Sequence, residues 1–118
     1  MNLKIVNIGN KGKEDEYILF YAEGGCQLHN YLIHDDTFDK EGELSNILRH
    51  MYRFPRKSLK KGEYAALYTK KKGLPEQGTY NKIPCYIMYW GTNSDIFNDA
   101  GDNIYLLLIN ETQKVVIK

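Results

Sequence analysis

Short apolar runs, broken by turn-forming residues about every ten to fifteen positions, organise this chain. LKIVNI (3–8) stops at GNKG (9–12), and EYILFYAE (16–23) stops at Gly24-Gly25. CQLHNYLIHDD (26–36) sets Leu28, Asn30 and Leu32 against His29, Tyr31 and Ile33, the period-two pattern of a strand. In ILRHMYRFP (47–55), Ile47, Leu48 and Met51 suit a helix. Pro55 nonetheless drives Phe54 towards extended backbone, so the second half reads as strand. SLKKGEYAALYT (58–69) reads as a turn with Gly62 at its corner, followed by a strand. IPCYIMYW (83–90) is the most apolar run and reads as an interior strand, with Pro84 near its start where a missing N–H does least harm. NIYLLLIN (103–110) and KVVIK (114–118) read as the last strands, whereas TFDKEGELSN (37–46) and KKKGLPEQGTYNK (70–82) read as polar loops.

No amphipathic helix longer than two turns and no internal repeat emerges. The pattern predicts an all-β sandwich of about seven to nine strands. Ten tyrosines and four phenylalanines favour strands, because flat rings pack well on a pleated, half-buried surface. At 118 residues the expectation is one domain over 1–118, large enough for a single core. No stretch approaches the length of a membrane span and the first ten residues carry no apolar leader. The chain as given therefore reads as cytoplasmic, and as exported if a signal peptide has been removed.

Charge changes the picture locally. The net charge is only +1, which gives no whole-molecule attraction to nucleic acid or membrane. Between residues 53 and 72, however, Arg53, Arg56, Lys57, Lys60, Lys61, Lys70, Lys71 and Lys72 face a single acid, Glu63. Arg56, Lys57, Lys60, Lys61, Lys70, Lys71 and Lys72 are the candidate binding residues. They could contact phosphates without base specificity, with Tyr52, Tyr64 and Tyr68 nearby to stack on bases. A strand of about seven residues spans roughly 20 Å, so the two basic groups form one patch only if the corners fold together. The plainer reading is lysines that keep loops soluble and block an edge strand.

Other candidate chemistry is thin. Asp95, Asp99 and Asp102 form one acidic group and Asp35, Asp36, Asp39, Glu41 and Glu43 another, but neither has the spacing of a calcium loop. Both read as solvated loops. His29, His34 and His50 lack a spacing that puts two beside a carboxylate, and read as surface or rim histidines. Cys26 and Cys85 belong to no CxxC pair and read as free buried thiols; a bridge between neighbouring strands would require export. There is no GxSxG elbow and no phosphate-binding loop. The expectation is a non-enzyme with no metal and no cofactor.

The order of these features resembles the lamin tail domain, the immunoglobulin-like sandwich of nuclear lamins that is also widespread in bacteria. DEYILFYAE (15–23) is similar to the family's early strand, and LHNYLIHDD (28–36) to the next, with Tyr31 at its aromatic position. YRFPRKSLKKGEYAALYT (52–69) matches through Phe54, Pro55, Leu59, Gly62 and Glu63. WGTNSDIFNDAGDNIYLLLINETQKVV (90–116) matches the family's ending through Ile96, Phe97, Asn98, Gly101, Asp102, Leu106 and Val115. The chain departs from the family at Phe97, where tryptophan is usual, and at Asn110 and Lys114, where aspartate and glycine are usual. Residues 36–48 also form a longer excursion.

The turn at 97–102 has a physical reading of its own. Phe97 can drop a ring into the end of the sandwich, Asn98 or Asp99 can bond backbone N–H groups, Gly101 can take positive φ and Asp102 can anchor the turn before YLLL. The resemblance implies a non-catalytic module for protein–protein interaction or targeting, through a strand edge or the 36–48 excursion, since lamin tails bind proteins and DNA. Sequence-independent nucleic-acid binding through 53–72 is the alternative.

Overall fold

Ten strands form among the residues described, 1–35, 50–92 and 103–117, in a computed structural model of the chain. They are β1 (Leu3–Gly9), β2 (Tyr17–Ala22), β3 (Cys26–Gln27), β4 (Tyr31–Asp35), β5 (Met51–Arg53), β6 (Ser58–Leu59), β7 (Tyr64–Tyr68), β8 (Glu76–Tyr80), β9 (Ile83–Tyr89) and β10 (Ile104–Leu108). A five-stranded sheet in the order β1-β2-β7-β9-β8 faces a three-stranded sheet in the order β10-β4-β5. β3 and β6 pair separately as a short clip. The fold is the all-β sandwich expected. The strand count exceeds seven to nine because of the two-residue members of that clip.

Period two explains the core. Ile18, Phe20 and Ala22 of β2, Ala65 and Leu67 of β7, and Met88 of β9 point to the same side of the larger sheet and are fully buried. Tyr31 and Ile33 of β4 meet them from the smaller sheet, with Leu28, Phe54 and Leu59 closing the ends. Phe20 and Phe54 pack edge to face with ring centroids 5.2 Å apart, the arrangement that the ring quadrupoles favour. β7 and β9 are parallel, joined by the hairpin strand β8, while every other neighbouring pair is antiparallel.

Several local expectations are corrected. Residues 70–82 are not all loop, because β8 occupies Glu76–Tyr80. Asn81 and Lys82 both take positive φ (50° and 68°), the geometry of a tight hairpin turn that matches strand twist. An edge strand can be polar, which hid it. Nor is 26–36 one strand: Leu28–Asn30 is a 3-10 turn between β3 and β4. The turn changes the alternation, so Leu28, Tyr31 and Ile33 are all buried. Residues 114–117 form no strand and stay exposed.

Candidate interaction surfaces

The seven basic candidates divide into two groups. Arg56, Lys57, Lys60 and Lys61 lie on the turns either side of β6, and Lys70, Lys71 and Lys72 follow the far end of β7. The length of β7 separates them, so no single basic patch forms. Within the first group Lys57 sits over the Tyr86 ring, 5.2 Å from its centroid, and the Lys60 N–H donates to Glu63 Oε1 at 2.7 Å. In the second group Lys71 Nζ lies 5.2 Å from the centroid of Tyr68. Lys70 donates to the Gly12 carbonyl at 3.2 Å. Lys70, Lys71 and Lys72 line a recess of about 540 Å³ together with Glu14 and Thr92.

The backbone beside that recess is cross-linked by hydrogen bonds. Glu16 is fully buried, where its Oε2 accepts the Gly12 N–H at 2.7 Å and its Oε1 accepts the Thr69 hydroxyl at 2.6 Å. Thr92 donates from both its N–H and its hydroxyl to the Thr69 carbonyl. These bonds tie the 10–16 turn, the end of β7 and the segment after β9 into one corner.

The outer face of the larger sheet carries an aromatic layer that charge counting does not reveal. By register, Tyr17 and Tyr21 of β2, Tyr64 and Tyr68 of β7, Tyr80 of β8 and Tyr89 of β9 share this face. Tyr17 meets Tyr68, which stacks on Tyr89, with centroids 5.7 Å apart in both pairs. A second row joins Tyr21 to Tyr64 at 5.1 Å and Tyr64 to Tyr80 at 4.9 Å. Leu19 and Ala66 between the rows, and Cys85 beside Tyr64 in the second, are buried. Gly9 leaves room for Tyr17, whose ring occupies the space a Cβ would need. Tyr17, Tyr21, Tyr80 and Tyr89 were not among the sequence candidates. The pairs 17/21 and 64/68, each four residues apart on a strand, were the available signal, since that spacing returns to one face.

A third surface is β10. Tyr105 and Leu107 share the outer face of the smaller sheet with Leu32 and His34 of β4 and with Met51 and Arg53 of β5. Tyr105, Leu107 and Leu108 are each about 40% exposed. The Ile109 N–H bonds to the Asn30 carbonyl at 2.7 Å. Ladder alternation therefore turns the N–H and C=O groups of Ile104, Leu106 and Leu108 away from β4.

Asp35 is no solvated loop acid. It is 8% exposed and ends β4, and its Oδ2 lies 2.6 Å from His50 Nδ1, while its N–H donates to the His50 carbonyl. The doubled contact clamps the two ends of segment 36–49. No sequence spacing announced it. His34 stacks on Tyr105 with centroids 5.0 Å apart. Both cysteines are free; burial raises the Cys26 thiol pKa and pushes that of Cys85 up to about 11, the reverse of an activated nucleophile. Among the described residues no three His, Cys, Asp or Glu side chains gather as a metal site, and no helix is long and apolar enough to cross a membrane. The turn residues Phe97, Asn98, Gly101 and Asp102, the 36–48 excursion and the acids Asp36, Asp39, Glu41, Glu43, Asp95 and Asp99 lie outside the described residues.

Compared with protein-family models, with curated proteins and with solved structures, the chain matches none of them.

Proposed function

We propose that this chain is a lamin-tail-like, immunoglobulin-type sandwich acting as a non-catalytic interaction module, which takes an extended segment of a protein partner along the side of β10 that faces away from β4. The contrast among the four edges of the two larger sheets supports this reading. β1 carries Lys4 and a bulge between Ile5 and Asn7, β8 carries Glu76, and β5 is three residues long with Arg53. Charges, bulges and shortness are how edges are kept from pairing with other chains. β10, read Ile-Tyr-Leu-Leu-Leu, has none of these devices, and among the described residues no strand pairs with its far side. Its outward N–H and C=O groups suit a partner strand, and its half-exposed Leu107 and Leu108 suit alternate apolar side chains. The two unbridged thiols fit a reducing, cytoplasmic setting.

The test uses a labelled peptide of alternating valine and threonine as the probe. Wild-type protein is expected to bind it, with slowed amide exchange at Leu106 and Leu108. Leu108→Pro removes one outward N–H and is expected to abolish binding while the domain stays folded. Equal binding by that variant, or unchanged exchange at both amides, sinks the proposal.

A further inference from the structure

Lys71, one of the lysines lining the recess at the end of β7, reaches Tyr68 of the tyrosine row on the face opposite the sandwich core. We infer that this end binds single-stranded nucleic acid, with an unpaired base stacked on Tyr68 and its flanking phosphates held by Lys70, Lys71 and Lys72. The reading is independent of the β10 edge.

Three features lead to it. First, the ligand must offer both a flat π face and negative charge, because the site offers aromatic rings and cations side by side. Tyr17, Tyr68 and Tyr89 lie abreast on three adjacent strands. The lysines begin two residues after Tyr68, and among the described residues Glu14 is the acid that lines the recess with them. Second, Lys71 already occupies the place a base would take. Its ammonium stands over the Tyr68 ring at 5.2 Å. An exposed cation–π contact is worth roughly 0.5–1 kcal/mol, whereas a base on an aromatic ring is worth roughly 1–3 kcal/mol. A base therefore displaces the ammonium with net gain, and the freed ammonium turns to a phosphate. Third, the corner is rigid, since buried Glu16 joins Gly12 to Thr69 and Thr92 bonds back to Thr69. Little ordering is left for the ligand to impose.

The same features select the strand state. In a duplex the base faces are hidden by their neighbours, so only the phosphates would be recognised. A row spanning three strands, about 10 Å at the usual strand spacing, accommodates one or two unstacked bases and not a helical groove.

The experiment is fluorescence anisotropy of a short labelled oligothymidine at several salt concentrations. A duplex and an abasic strand of equal length serve as competitors. The wild type is expected to prefer the single strand, with log affinity falling against log salt at a slope of about −2, since three phosphates contribute about −0.7 each. Lys70→Gln, Lys71→Gln and Lys72→Gln combined are expected to remove most of that slope. Tyr68→Leu keeps an apolar side chain on the sheet and is expected to weaken binding about five- to a hundred-fold while leaving the slope intact. Combined Gln substitutions of Arg56, Lys57, Lys60 and Lys61, at the other end of β7, are expected to change little. Circular dichroism of each variant separates lost binding from lost fold. Equal affinity for the duplex or the abasic strand overturns the inference. So does an equal loss from the distant four-residue variant, or no binding at low salt.

Discussion

The two faces of the larger sheet are made from alternate residues of the same strands, yet they are covered in different ways. On the inner face Ile18, Phe20, Leu67 and Met88 are sealed by the smaller sheet. On the outer face Leu19, Ala66 and Cys85 are 3%, 7% and 2% exposed, and their cover is local: Tyr17, Tyr64 and Tyr80 pack against them. A tyrosine can serve as a roof because its ring is an apolar plate while its hydroxyl stays in water. The difference teaches that burial alone does not mark the interior of this sandwich. The inner face is fixed by long-range contact between sheets, and the outer by cross-strand neighbours that can move.

That contrast predicts the largest effect for Phe20→Ala. Phe20 is fully buried and packs edge-on against Phe54 of the opposing layer. Removing the ring leaves a cavity that two sheets cannot both close, at a cost of about 3–5 kcal/mol. Such a loss is a large part of the stability of a small domain, and urea unfolding would show it as a lowered midpoint with the slope kept. Leu19→Ala is the matched change on the outer face. There the surrounding tyrosine rings can settle into the gap, so the expected cost is about 2 kcal/mol, the low end of the range for such truncations. Equal losses for the two variants would mean that the tyrosine layer is a second rigid core, and the comparison would fail.

How the chain announced these two faces differs as well. The sandwich was legible because runs such as EYILFYAE and IPCYIMYW are bounded by turn residues and are too short for helices. β8 was not, since Glu76, Gln77 and Thr79 have no burial to pattern them and the Asn81-Lys82 turn lacks the usual glycine. The basic segment was visible by counting, but counting cannot say that β7 separates its two halves. The aromatic row needed register. Tyr89 reaches Tyr68 only because β9 runs parallel to β7, a pairing no local pattern specifies. The Asp35–His50 clamp was hidden for a similar reason, since the residues it joins are distant in sequence and meet through strand pairing.

Gly9 sharpens the outer-face half of the comparison. The Tyr17 ring fills the place of a side chain there, so Gly9→Ala pushes the ring away without touching the inner face. The loss should approximate one aromatic pair, about 1 kcal/mol, with a change in near-ultraviolet circular dichroism from the Tyr17–Tyr68 contact. A loss as large as that of Leu19→Ala would show that the ring is anchored and that the roof cannot adjust.

The finest test is Cys85, the one titratable group among the three residues beneath the roof. Burial raises its pKa from 9.0 to about 11. The sign follows from which state holds the proton. Between those values the unfolded chain gives up its thiol proton while the folded chain keeps it, so stability present below pH 9.0 is lost as pH rises towards about 11. Tyr68 and Tyr89, whose pKa values are also raised from 10.0 chiefly by burial, push the same way from within this window upwards, so the wild-type curve alone does not isolate the thiol. The difference between wild type and Cys85→Ala does. The variant should lose stability less steeply across this window, and at neutral pH the Cys85 thiol should react with a thiol reagent more slowly than half-buried Cys26. If the two thiols react alike, the tyrosine roof opens freely to solvent. The outer layer would then be a surface that only looks closed, and the two faces of the sheet would differ even more than their burial suggests.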